Sequence, residues 1–136
     1  MKLIKITAAL LGFILSASSY AGFKTIDVFH ASKDLKRHEI IDGVHVNYYY
    51  LPALKEMDSS LSERLPNNER DAQLYINNFF NSEEGKEWIK KTEHYAKGIS
   101  KVFGYKVESY PAVVFDGEFV VYGTNNVKEA INAYLN

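Results

Sequence analysis

The sequence predicts an α/β fold in which helices cover a small mixed sheet in three layers. Three observations predict it: alternating strands in the first half, apolar helical stripes in the middle, and a β-hairpin followed by a helix at the end. Such an order of strands and helices is typical of layered domains with one shared core. No repeat, low-complexity tract or linker interrupts residues 22–136, so we interpret them as one domain.

Residues 1–21 have the pattern of a secretory signal peptide. Two lysines precede an apolar run over residues 6–15, and small residues follow at Ser19 and Ala21. The run is about half as long as the roughly 20 apolar residues of a membrane-spanning helix, which favours export over an uncleaved anchor. We predict cleavage near Ala21 and no stable membrane insertion afterwards.

Composition excludes two classes of function. Cleavage after residue 21 removes two of the 16 basic residues and none of the 17 acidic ones, which leaves 14 against 17. This balance offers no broad basic surface for phosphates, so direct nucleic-acid binding is not expected. The chain has no cysteine, and thiol–disulfide exchange requires a thiolate.

Two strands are predicted in the first half. Apolar residues alternate in "FKTIDVFH" at 23–30 and in "VHVNYYYL" at 44–51. The residues between them are polar and helix-compatible at 32–39 and end in Asp42-Gly43. They therefore predict a short crossover that joins two parallel strands.

The middle of the chain is predicted to be helical. The stretch "LKEMDSSLSERLP" after Pro52 allows a short helix or an irregular connection. A helix after Pro66 is indicated by apolar residues that share one stripe: Ala72, Tyr75, Ile76, Phe79 and Phe80. Ser82 is the expected cap of a further helix, which Gly104 is expected to end.

The C-terminal residues predict a hairpin and a helix. Two short apolar runs, 112–115 and 119–122, flank Asp116-Gly117, and Asp-Gly is a strong signal for a tight turn. Asn125 or Asn126 then caps a terminal helix.

This order of elements resembles the thioredoxin fold. The resemblance implies that Pro111, at the start of the third long strand, follows a cis peptide bond and faces the loop after the first strand. In that loop His30, Ala31 and Ser32 stand where a redox protein of this class has its CxxC motif. The resemblance therefore implies a redox-inactive scaffold, and Tyr110, Pro111 and this loop are the predicted partner-binding site.

Three stretches carry a closer resemblance: "IDVF" at 26–29, "NSEEGKEW" at 81–88 and "FGYKVESYPAVVFDGEFVVYGTNNVKEAINAY" at 103–134. Residues 22–136 resemble thioredoxin-like exported proteins of bacterial integrating conjugative elements, a family without an assigned molecular activity. Asn126 stands where that family commonly has an aspartate.

The resemblance implies a non-enzymatic periplasmic accessory component of conjugative DNA transfer, associated with type IV secretion. It would act as an adaptor, assembly factor or chaperone and bind protein partners. The alternative interpretation is a redox-inactive thioredoxin-like chaperone or binding module unrelated to conjugation.

Residues that could carry other chemistry are few. The four histidines include no short-spaced ligand pair, although His30 could meet His45 if the first two strands are neighbours. His30 and Ser32 could be a base and a nucleophile, but no orienting acid accompanies them. We predict no catalytic residue, metal site or cofactor. In the run 48–50, Tyr48 and Tyr50 are expected in the core, and Tyr49 is the surface candidate.

Overall fold

The computed structural model describes residues 22–33 and 35–136. The predicted signal peptide therefore lies outside the described residues. No helix within the described ranges has the length and apolar character needed to cross a membrane.

Five strands form one mixed sheet in the order β2-β3-β1-β4-β5. β1 is parallel to β3, and the three other neighbouring pairs are antiparallel. The strands are β1 Thr25–His30, β2 His38–Ile41, β3 Val44–Tyr50, β4 Ala112–Phe115 and β5 Phe119–Tyr122. The predicted parallel pair and the predicted C-terminal hairpin are confirmed.

Four helices complete the described part of the chain: α1 Ala53–Glu63, α2 Glu69–Asn81, α3 Glu83–Gly104 and α4 Val127–Leu135. The undecided stretch after Pro52 is thus a helix. The side chains of Ser82 and Asn126 cap α3 and α4, as predicted, by accepting hydrogen bonds from Gly85 N and Glu129 N.

Helices cover both faces of the sheet because its strands are apolar on both sides. On one face, Val28 and Val113 belong to a cluster with Ala130 and Ile131 of α4. On the other face, Phe29, Tyr49 and Val114 pack against residues that include Val102 and Tyr105 at the end of α3. The predicted α/β class with a mixed sheet is confirmed.

Arg64 joins the three central helices. Its guanidinium lies 5.7 Å from the ring centre of Tyr75 and 5.2 Å from that of Phe79, both on α2. It also donates two hydrogen bonds to Glu84 of α3, at 2.6 and 3.1 Å. Phe79 is the only residue of α2 that is buried. α2 is therefore held through this arginine and through Phe79 and Phe80, whose rings both pack on Trp88 of α3.

The predicted helical crossover over residues 32–39 is wrong. The structure places β2 at residues 38–41, at the edge of the sheet, and Asp42-Gly43 turns it back into β3. Asp42 and Gly43 have φ values of 49° and 81°, and two positive φ angles are characteristic of the tight turn that joins antiparallel strands. The Asp-Gly pair thus forms a hairpin rather than the end of a helix.

The prediction that Tyr49 faces solvent is also wrong. Its exposed fraction is 1%, less than that of Tyr48. The ring stacks on Phe29 at 5.4 Å between centroids and on His94 at 4.8 Å. Alternation places Tyr49 opposite Tyr48, but α3 covers that second face as well.

Candidate functional site

The predicted partner-binding residues meet at one end of the sheet, where β1 ends and β4 begins. The antiparallel register places Phe29 opposite Ala112. His30 is the last residue of β1 and Pro111 directly precedes β4, so these two residues and their neighbours Ala31 and Tyr110 lie at the same end of the sheet. We call His30, Ala31, Ser32, Tyr110 and Pro111 the strand-end site. The structure thus brings together residues that lie about eighty positions apart in the sequence.

The backbone ladder between β1 and β4 is interrupted at this site. Asp116 N–H donates to the Thr25 carbonyl at 3.0 Å, so Thr25 and Asp116 are a hydrogen-bonded pair. Hydrogen-bonded pairs alternate with non-bonded pairs along two antiparallel strands. The next pair after Phe29 and Ala112 would be Ala31 and Tyr110. Among the described residues, neither of these two forms a backbone hydrogen bond. The site therefore presents backbone donors and acceptors where a strand could continue.

The Tyr110–Pro111 peptide bond is cis, as the resemblance predicts. The Pro111 carbonyl accepts a hydrogen bond from Gly123 N–H at 2.9 Å, so its backbone is already engaged by β5. The open backbone groups on this side belong to Tyr110, whose side chain is 52% exposed.

His30 is the buried member of the strand-end site, with an exposed fraction of 1%. Its Nδ1 accepts a hydrogen bond from Ser32 N–H at 3.2 Å, which assigns the ring proton to Nε2. Nε2 is buried and has no hydrogen-bond partner among the described residues. Burial lowers the pKa of His30, and the N–H that Ser32 donates to Nδ1 also favours the neutral ring. His30 is therefore a neutral imidazole at pH 7 with one unpaired donor.

The geometry does not make a base and nucleophile of His30 and Ser32. The group of Ser32 that contacts the imidazole is the backbone N–H, not the hydroxyl. A nucleophile must offer its own proton to the base. The strand-end site thus has the features of a recognition surface: an exposed aromatic ring, open backbone groups and a buried donor.

His30 does not meet His45, which corrects that expectation. In the parallel register His30 lies beside Tyr50, and His45 lies beside Thr25 at the other end of the strand. His45 instead approaches His38, with 3.1 Å between Nδ1 and Nε2. The described part of the chain contains no group of three or more residues placed to hold a metal ion.

A buried ionic cluster below β1 escaped the sequence analysis. Lys101 Nζ donates to both carboxylate oxygens of Asp27, at 2.9 and 2.7 Å, and the Tyr105 hydroxyl donates to the same carboxylate at 3.0 Å. Asn47 adds a fourth hydrogen bond at 3.1 Å. Burial alone would lower the pKa of Lys101, but the hydrogen bond and charge of Asp27 outweigh it and raise that pKa. The only sequence signal was one acid within an apolar strand.

A second concave region lies between α1 and α3. It has a volume of about 440 Å³, and its lining includes Met57, Leu61 and Trp88. Trp88 Nε1 is buried and has no partner within the described residues. Tyr50 lines this groove and also lies 5.9 Å from the His30 ring, between ring centres. The groove therefore adjoins the strand-end site through one tyrosine.

Comparison with known proteins gives one family. A family model described as a protein of unknown function, DUF1525, matches residues 25–136. No curated protein and no solved structure gives a significant match. The matched range contains every strand and helix described above, together with the whole strand-end site.

Proposed function

Because the chain belongs to the DUF1525 family, whose description assigns no activity, we propose a function from the strand-end site and the sequence. The protein is a non-enzymatic periplasmic accessory component of conjugative DNA transfer, associated with type IV secretion. It binds an extended segment of a protein partner and acts as an adaptor, assembly factor or chaperone.

The interrupted ladder at Ala31 and Tyr110 carries this proposal. Backbone groups at the end of two strands accept an extended polypeptide in the manner of strand addition, where main-chain hydrogen bonds supply affinity. Tyr110 adds a large exposed ring, and tyrosine is enriched in protein interfaces because it gives contact area at a low entropic cost.

We also propose that the fold is thioredoxin-like. The order of the strands, the parallel pair β1 and β3, the antiparallel β4 and β5, and the proline directly before β4 support it. One feature differs from that fold: the crossover from β1 to β3 contains an edge strand in place of a helix. Because the chain has no cysteine, the strand-end site can bind a partner but cannot carry out the thiol chemistry of redox proteins with this fold.

The link to conjugation is supported by the resemblance of residues 22–136 to exported proteins of integrating conjugative elements. The pattern of residues 1–21 supports export. The excess of acidic residues in the mature chain supports a protein partner rather than direct contact with DNA.

Transfer assays and crosslinking in donor cells test this proposal. Deletion of the gene should lower the frequency of transfer, and the intact gene should restore it. A photo-crosslinking residue in place of Tyr110 should capture a component of the secretion apparatus. The control places the same residue at Phe103, which is 77% exposed on α3 and is not part of the strand-end site.

Two outcomes would contradict the proposal. Unchanged transfer after deletion would remove the role in conjugation, and a specific adduct from Tyr110 would then favour the alternative, a binding module unrelated to conjugation. Equal adducts from Tyr110 and Phe103 would contradict partner binding at the strand-end site.

A further inference from the structure

The groove between α1 and α3 has walls that are mainly apolar. Residues at helical spacing line it from both sides: Ala53, Met57 and Leu61 on α1, and Trp88 and Tyr95 on α3. Together these walls enclose the volume of about 440 Å³. Ligand sites in proteins are typically concave regions of roughly 300–1,000 Å³ with apolar and aromatic linings. The groove therefore has the size and the lining of a ligand site.

The charges in the groove leave one cation without a partner. Every carboxylate that lines it lies within 3.2 Å of a cation: Glu56 of Lys33, Glu84 of Arg64, and Glu87 of Arg37. Lys91 also lines the groove, and its ammonium forms no hydrogen bond or ion pair with a described residue. The groove therefore has one positive charge left for an anion, and an ammonium binds a carboxylate through charge-assisted hydrogen bonds.

A second group in the α3 wall is also a donor without an acceptor. Trp88 lies one turn before Lys91, and its Nε1 is buried with no hydrogen-bond partner in the described part of the chain. An indole N–H and an ammonium can donate hydrogen bonds but cannot accept them. A ligand that suits this wall therefore carries acceptor oxygens, and a carboxylate supplies both those oxygens and the negative charge.

We propose that the groove binds the C-terminal end of a partner polypeptide. The terminal carboxylate pairs with Lys91, and the apolar side chains before it pack between Met57, Leu61 and Trp88. Capture of a free C terminus through its carboxylate is a recurring mode of peptide recognition. The groove thus differs from the strand-end site, which offers backbone groups to an extended segment.

The position of the groove favours a polypeptide over a small carboxylic acid. Tyr50 lines the groove, and its ring centre lies 5.9 Å from that of His30 in the strand-end site. This distance corresponds to about two residues of extended chain. One partner can therefore place a strand at the strand-end site and its C terminus in the groove. The inference rests on the proposed function, because that proposal makes the partner a protein.

Fluorescence measures binding in the groove directly, because Trp88 is the only tryptophan of the chain. The probe is an acetylated pentapeptide that ends in two leucines, prepared with a free carboxylate and with a terminal amide. The free acid should change the emission of Trp88 in the mature protein and bind at least about threefold more tightly than the amide. Calorimetry of the same mixtures gives an independent measurement of the two dissociation constants.

Substitutions of two neighbouring lysines separate capture of the carboxylate from general attraction by charge. Lys91→Met should remove the preference for the free acid and leave binding of the amide unchanged. Lys90→Met makes the same change in net charge at an exposed residue that does not line the groove, so the preference should remain. Equal binding of acid and amide by the unmodified protein, or a preference that survives Lys91→Met, would overturn the inference.

Decanoate is a third probe, and it distinguishes the sources of the carboxylate. Binding of decanoate without binding of either peptide would overturn the polypeptide and assign the groove to a small acid. The proposed function is tested separately, because Tyr110 does not line the groove. If the free-acid peptide fails to bind while Tyr110 still captures a component of the secretion apparatus, the groove inference is wrong and the proposed function stands. Selective binding of the peptide without an adduct from Tyr110 would contradict the strand-end site and support the groove.

Discussion

At the scale of single residues, the notable feature is a pair of charged side chains enclosed in an apolar core. Asp27 is completely buried in the central strand, and Lys101 reaches it from α3 with its own side chain only 20% exposed. Two hydrogen bonds from one ammonium, with others from Tyr105 and Asn47, satisfy the carboxylate. A charge in such a position is tolerated only while its partner remains.

Lys101→Met should lower the free energy of unfolding by about 3–5 kcal/mol, because it leaves the Asp27 carboxylate buried without a counter-charge. Urea denaturation measures the loss. Lys97→Met is the matched control, since Lys97 is exposed on the same helix and should change stability by less than about 0.5 kcal/mol. The double variant Asp27→Asn, Lys101→Met should recover a large part of the loss. A single variant as stable as the wild type would contradict the importance of the pair.

Stability should fall as the pH drops below about 6.5, because His30 is buried and His94 is partly buried. Burial lowers the pKa of His30 and of His94 below 6.5, so the folded protein binds these protons less readily than the unfolded chain. Their contribution is complete above about pH 6.5 and is lost as the pH falls toward the lowered values, by at most about 1.4 kcal/mol per histidine for each pH unit.

Urea denaturation at several pH values measures this dependence. His30→Gln should reduce the slope and leave the part that is due to His94. A slope that is identical in the wild type and in His30→Gln would show that His30 does not contribute.

At the scale of elements, the sheet and α3 approach each other at one glycine. A Cβ atom on Gly98 would lie 2.5 Å from the Tyr49 ring, whereas nothing lies within 4 Å of the corresponding position on Gly104. Gly98 thus permits the close approach of α3 to Tyr49, which is buried between strand and helix.

Gly98→Ala should destabilise the protein by about 1–3 kcal/mol, because the added methyl group must displace a ring that is already enclosed. Gly104→Ala is the control on the same helix, and it should be neutral or stabilising by up to about 1 kcal/mol because alanine favours helical backbone. Thermal and urea unfolding compare the two. Similar changes in the free energy of unfolding from both substitutions would show that the Tyr49 ring can move aside at little cost.

Elements with strong local signals were predictable, and contacts between distant residues were not. The Asp-Gly pair at 116–117 has apolar runs on both sides and predicted its hairpin correctly. The pair at 42–43 forms a hairpin too, but "HEII" before it is short and suits a helix equally well. Tyr49 was misplaced because alternation alone does not reveal that both faces of β3 are covered. The site residues were found through the resemblance, whereas Asp27 and Lys101 are 74 positions apart and share no local pattern.

At the scale of the whole molecule, the proposed cleavage near Ala21 can be tested directly. Mass spectrometry of the exported protein should find Gly22, or a residue within a few positions, at the N-terminus. The mature protein should also unfold at the same temperature with and without a reductant, because it contains no thiol. A membrane-bound chain that retains Met1 would contradict the proposed cleavage.

The attachment of α2 implies that the molecule does not open as one unit. α2 contacts the other helices through Arg64 and through the packing of Phe79 and Phe80 on Trp88, and none of its residues belongs to the cores on the two faces of the sheet. It can therefore detach without exposing those cores. Local openings of this kind need less free energy than global unfolding. Amide protons of α2 should therefore exchange with deuterium well before those of β1 and β4, and Arg64→Ala should accelerate exchange in α2 while leaving the two strands protected.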